Sequence, residues 1–259
     1  SNDMVPFESV KYVSTPVVTV SIEPEYLRQL DEMKSIIEHL LIEDPNLKFE
    51  INEENGEFLL SGVGALHLEV TVDEIEKRGI PVTTSEPRPV FKESCEGDSG
   101  LITVKSNDGQ NVLKVEVKRL DSKTVDHFRG RDGEATGPRD DVKAELEEKT
   151  DLNPESIEHF WKHDENQNVV IFEGREALEG EYENLILDII EKIHDNGPLC
   201  GEKLTEVGIF IEKLSLGNID EENAFSTLST LFYDGIKTAL KAAGLVLLEP
   251  IYHTIIQLP

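Results

Sequence analysis

The sequence predicts an α+β protein of two modules, a ferredoxin-like split βαβ sandwich followed by a second α/β domain. Three observations carry this. A β-α-β-β-α-β order of hydropathy patterns occupies about 75 residues near the start, the order of that sandwich. A polar, glycine-containing stretch at 93–100 (ESCEGDSG) then separates it from further helix and strand patterns. The length of 259 residues suits two cores at roughly 100–200 residues per domain.

Residues 17–24 (VVTVSIEP) are β-branched and bounded by Pro16 and Pro24, which reads as a strand. Between 25 and 44, Tyr26, Leu30, Met33, Ile37, Leu40 and Leu41 form an apolar stripe at helical spacing, ended by Pro45. LKFEINEENGEFLLSG sets Leu47, Phe49 and Ile51 on one strand face, turns at Asn55-Gly56 and resumes at Phe58, a hairpin signal. Gly62 and Gly64 open a helical stretch through Ile75, closed by Lys77, Arg78 and Gly79, where cations and glycine are favoured. PVTTSEP is the last strand of the first module.

In the second module, 101–105 pairs with 112–117 across Asn107-Asp108-Gly109. Residues 129–141 lack apolar periodicity and hold three glycines, a mobile loop. DDVKAELEEK and PESIEHFWK predict two short helices, and 169–172 a strand. Leu185, Ile186, Ile189, Ile190 and Ile193 define a helix over 181–196, stopped by Gly197-Pro198. A strand over 207–216, a long helix over 222–243 and a final strand (IYHTIIQLP) complete the chain.

The 53 acidic residues exceed the 25 Lys+Arg, for a net charge of −28. A broad nucleic-acid or anionic-membrane face is disfavoured, because phosphate binding needs cations to displace counterions. No apolar run approaches the ~18 residues of a membrane span. Cys95 and Cys200 match no metal or redox spacing, so a reduced, cytoplasmic setting is expected.

Local chemistry is thin. Gly62-Val63-Gly64 superficially resembles a dinucleotide loop, but position 67 is His where a third glycine belongs. There is no GxxxxGK[ST], so the chain itself should not hydrolyse GTP or ATP. His159 and His163 are four apart and could share a helical face as metal ligands do. The residue after the first is Phe160 rather than the glutamate of zinc proteases, so a solvated helix end beside a core-anchoring Trp161 is the preferred reading. Adjacent acids such as Glu53-Glu54 and Glu147-Glu148 are expected at this composition. No catalytic residue, cofactor site or metal site is assigned.

A resemblance takes the reading further. VPFESVKYVSTPVVTVSIEP, EDPNLKFEINEENGEFLLSGVGALHLEV and PVTTSEPRPVFKES closely resemble the third domain of the archaeal and eukaryotic elongation factor 2 family, the translocation GTPases. NGPLCGEKLTEV and LVLLEPIYHTIIQLP are similar to its fourth domain and the first strand of its fifth, so coverage runs from 4 to 259. The resemblance implies a third-domain module at 1–93, a fourth-domain-like, ribosomal protein S5-like module at 94–248, and the first strand of a fifth domain at 249–259. It implies a cytoplasmic segment that engages the ribosome or a ribosomal protein. GTP and Mg are expected only in a GTPase domain outside this sequence. A final strand without its sheet is expected to pair elsewhere or to drive self-association.

The departures bear on function. The family's Gly-Glu-Leu-His-Leu-Glu is here Gly64-Ala65-Leu66-His67-Leu68-Glu69, with one acid missing. Gly62, Gly64, His67 and Glu69 are the candidate partner contacts of this module. At the fourth-domain tip the family carries a modified histidine (diphthamide) beside arginine and glycines. The corresponding LGNIDEENAFSTLSTLFYDG has neither His nor Arg, and has the consecutive acids Asp220, Glu221 and Glu222. The other tip turn, basic in the family, holds Asn107, Asp108 and Gly109, and basic positions after GPLC are replaced by Glu206 and Ile209. Each lost cation removes part of the affinity for RNA, so direct RNA contact at the tip is expected to be weak. The chain thus resembles a diverged paralogue. The alternative is an acidic module that binds a basic protein instead of RNA, since its charge would speed association with such a partner.

Overall fold

The structure, a computed structural model, describes residues 15–52, 56–129, 140–175, 178, 180–217 and 223–251. Two compact units result among the described residues, one of 15–91 together with 249–251, the other within Lys92–Leu248.

In the first unit, β1 (Val18–Pro24), α1 (Leu30–Glu43), β2 (Lys48–Ile51), β3 (Phe58–Gly62), α2 (Ala65–Lys77) and β4 (Val82–Thr84) follow the expected order. The sheet runs β2-β3-β1-β4, antiparallel throughout. A short β5 (Arg88–Pro89) pairs with Val18 and Thr19 of β1. Alternation along β1 buries Val20 and Ile22, which meet Met33, Ile37 and Leu40 of α1 and Leu68 and Ile75 of α2. One sheet face is thereby covered by both helices.

The second unit begins with β6 (Lys92–Cys95), β7 (Ile102–Lys105), β8 (Val112–Arg119), α3 (Ser122–Phe128), α4 (Asp140–Lys149) and α5 (Pro154–Glu158). It continues with β9 (Phe160–His163), β10 (Val169–Phe172), α6 (Gly180–Asp195), β11 (Val207–Ser215), α7 (Ala224–Ala242) and β12 (Leu245–Leu248). Five strands form a sheet of order β7-β8-β11-β10-β9, in which β10 and β11 are parallel and joined through α6. Alternate residues serve two cores. Val170, Phe172, Ile209 and Ile211 join α6 and α7, while Val169, Ile171 and Phe210 pack with Val125 of α3, Leu146 of α4 and Ile157 of α5.

Several expectations change. The stretch at 93–100 begins as a strand rather than a linker. β6 pairs antiparallel with β12, and Glu93, Ser94 and Cys95 are buried. PESIEHFWK is helical only to Glu158; Phe160–His163 is a strand because its backbone pairs with β10. His159 and His163 therefore do not share a helical face. Trp161 anchors a strand, its ring edge-on to Phe172 at 5.5 Å. Sequence patterning also missed α3, whose N-cap Asp121 accepts from the Thr124 N–H at 2.8 Å. Residues 53–55, 220–222, 252–259 and most of the 129–141 loop, with the turn, tip-acid and final-strand expectations placed there, lie outside the described residues. Among the described residues, no helix is long and apolar enough to cross a membrane.

Candidate functional site

His67 is held inside the first unit. Its Nδ1 accepts from the Val63 N–H at 3.2 Å, and its Nε2 lies 2.8 Å from Asp44 Oδ2. A nitrogen that accepts from a backbone N–H carries no proton, so Nε2 holds the ring proton and donates to Asp44. The ring thus ties the β3–α2 turn to the end of α1. Burial pushes the Asp44 carboxyl up, but bonds from Asn46 and His67 outweigh it and hold its pKa below the ordinary value. Gly62 permits the arrangement: a Cβ there would sit 2.7 Å from His67 Nδ1 and 2.9 Å from Leu68 Cδ2. Gly64 is half-buried at the N-cap of α2. Glu69 is exposed, on the helix face that also shows Leu66 and Val70. Of the predicted contacts in this unit, then, Glu69 is presented outward and His67 is committed internally.

In the second unit, the turn between β7 and β8 is knitted around two side chains. Asp108 accepts from the Ser106 hydroxyl and, at 3.0 Å, from the Gln110 N–H. These bonds lower the Asp108 pKa, the hydroxyl first. Gly109 takes the left-handed conformation at φ 71°, which favours glycine. The buried Asn111 accepts from the Gly217 N–H at 3.0 Å through Oδ1, joining the turn to the chain just after β11. Asn107, Asp108 and Gly109 therefore stand at the same end of the sheet as Gly217.

The replaced positions after GPLC differ in kind. Glu206 pairs with Arg119, which also donates to Ser94. Ile209 is fully buried on the inward face of β11, in the core shared with α6 and α7, so its own side chain is not presented to a partner.

The structure also brings together residues that sequence reasoning left apart. Glu93 is 0% exposed, and its carboxylate accepts from the backbone N–H groups of Leu199 and Cys200 at 2.8 Å each and of Glu202 at 3.1 Å. The GPLC segment is thus a backbone cradle for an internal carboxylate. Gly197 is required, since a Cβ would penetrate the Glu93 carboxylate and the Glu202 carbonyl. Burial and then the Glu93 charge raise the Glu202 pKa. A buried Glu beside a Pro-containing loop rich in glycine was the available signal, hidden because position 93 reads as polar linker. Among the described residues, no group of three or more His, Cys, Asp or Glu side chains could hold a metal ion.

The fold and these sites define a two-unit α+β segment whose first unit matches the family Elongation Factor G, domain III, over residues 13–86. Elongation factor 2 of Korarchaeum cryptofilum is 32% identical over 257 residues, covering 98% of this chain and 34% of that protein. Elongation factor 2 of Aeropyrum pernix is 32% identical over 262 residues, covering 98% and 35%, and that of Sulfurisphaera tokodaii 33% over 260, covering 98% and 35%. Over nearly its whole length the chain is similar to a segment of these elongation factor 2 proteins, and it spans about a third of the length of the curated relatives it matches.

Proposed function

We propose that this chain is the non-catalytic, ribosome-engaging segment of an elongation factor 2-like translational GTPase, with a tip changed so that it no longer serves ordinary diphthamide-dependent translocation. The observation that carries it is the 106–111 turn, which is organised around the Asp108 carboxylate and carries no cation. A phosphate backbone would meet repulsion there rather than a counterion-releasing contact. Exposed Glu69, at the start of α2, is the proposed partner contact of the first unit. GTP and Mg would be held by a GTPase domain outside this sequence, and this chain binds no cofactor of its own.

Sedimentation of the intact protein with ribosomes, in the presence of GTP and over a range of salt, tests this. Binding is expected at low salt, with a slope of log affinity against log salt shallower than that of an archaeal elongation factor 2. Absence of co-sedimentation at low salt would refute ribosome engagement. Binding that survives RNase would assign the interaction to a basic protein, the acidic-module reading that the −28 charge favours.

A further inference from the structure

We propose that the cleft formed by β9, the β9–β10 turn and α6 receives a lysine or arginine side chain of a basic partner protein. It lies wholly in the second unit and goes beyond the ribosome reading, on which it does not depend. The cleft encloses about 280 Å³. That is just below the ~300–1,000 Å³ range of small-ligand pockets, which suits one long side chain. Its floor is apolar, from Val170, Leu187 and Ile190, while Glu165, Glu191 and Asp195 supply carboxylates at its walls. Lys162 is the cleft's own lysine and pairs with Glu191, and Asp195 lies 3.8 Å from Lys203 outside the lining; the lining itself still holds more carboxylates, with Asp164 and Glu165, than ammonium groups. Long cationic side chains lay their stems on apolar surface and place their heads near acids and water.

His194 is the second, independent observation. It forms part of the cleft wall and is 6% exposed. Its Nδ1 lies 2.8 Å from Asp164 Oδ2, and Asp164 is itself held by the Asn166 and Asn168 N–H groups and the Asn168 side chain, each at 2.9 Å. A carboxylate can only accept, so Nδ1 carries a proton, and with the ring taken in its neutral form Nε2 is an acceptor. That Nε2 is buried with no hydrogen-bond partner among the described residues. Buried acceptors without donors are uncommon and costly. An ammonium or guanidinium N–H supplies the missing donor, and its charge offsets the carboxylates around it. No apolar ligand does either, and an RNA phosphate does neither.

The intact chain is titrated with the peptide acetyl-Gly-Gly-Lys-Gly-Gly-amide and with its norleucine counterpart, reading the imidazole nitrogens of His194 by NMR. The expected result is a saturable shift of Nε2 with the lysine peptide and none with the norleucine peptide. Glu191→Gln, on the exposed side of α6, is expected to weaken binding about three- to five-fold, the scale of one partly exposed ion pair. Glu76→Gln on α2 of the other unit is expected to leave it unchanged. A still Nε2 resonance, equal shifts with both peptides, or equal weakening by both variants would overturn the proposal, the last by assigning binding to diffuse acidity. A shift produced by an oligoribonucleotide and not by the lysine peptide would overturn it in favour of nucleic acid.

Discussion

A carboxylate as buried as that of Glu93 is tolerable only because three backbone N–H groups converge on it. Glu93→Gln keeps one acceptor but turns an amide toward donors, and is expected to destabilise the second unit by about 2–3 kcal/mol in urea unfolding. Asp164 and Cys95 give the pH dependence. Burial alone would raise the Asp164 pKa, but the His194 and Asn168 bonds outweigh it and set it below the ordinary value of 3.8. A lowered carboxylate contributes stability above its unfolded pKa and loses it as pH falls through the folded one. Stability should therefore drop below about pH 4, and Asp164→Asn should flatten that acid limb. Cys95 has the opposite sign. Burial pushes its thiol from 9.0 to about 11, so its contribution is intact below pH 9 and is lost as pH rises to 11. Unfolding midpoints at mildly and strongly alkaline pH, compared between wild type and Cys95→Ala, check this; a difference between the two that does not change with pH would contradict it.

At the scale of elements, single side chains join segments that backbone hydrogen bonds do not. His67 links the β3–α2 turn to the end of α1, and its packing excludes any side chain at Gly62. His67→Ala is expected to cost the first unit about 2–3 kcal/mol, and Gly62→Ala about 1–3 kcal/mol, by thermal or urea unfolding. Asn111 does the same for the tip turn. Asn111→Ala should speed amide exchange at Gly217 and cost about 1–2 kcal/mol, while leaving the β8–β11 ladder protected. Backbone context explains the different fates of the two replaced positions: Glu206 stands just before β11 in the left-handed region, at φ 59°, and reaches Arg119, while Ile209, on the inward face of β11, is fully buried.

For the whole molecule, two compact units with separate cores imply that unfolding need not be a single cooperative event. Calorimetry is expected to resolve two transitions, with His67→Ala lowering one and Glu93→Gln the other. One transition lowered by both substitutions would show that the units unfold together. The −28 charge acts at this scale too, through the rate and salt dependence with which the chain meets charged partners rather than through its fold.

Much of the first unit was legible in the sequence because its signals are local. The stripe from Leu30 to Leu41 and the alternation around Val20 and Ile22 each report their own burial, and their order specifies the sheet. The Gly64-to-Glu69 stretch marked the start of α2 but not the bonds of His67, because Asp44 lies 23 residues earlier in the chain. The second unit was legible in α6, α7 and β11, where apolar periodicity is long. It was not legible in β6, β9 and β12, short strands whose identity depends on distant partners: Cys95 on Leu245, and Phe160 on Ile171. The sequence by itself determined the acidity, the first sandwich and the absence of a cation in the tip turn. Only the tertiary structure decided that Glu93 lies in the GPLC cradle and that His194, whose Nε2 is buried with no hydrogen-bond partner among the described residues, lines the acidic cleft. Those are long-range pairings of single polar groups, for which neither periodicity nor composition carries a signal.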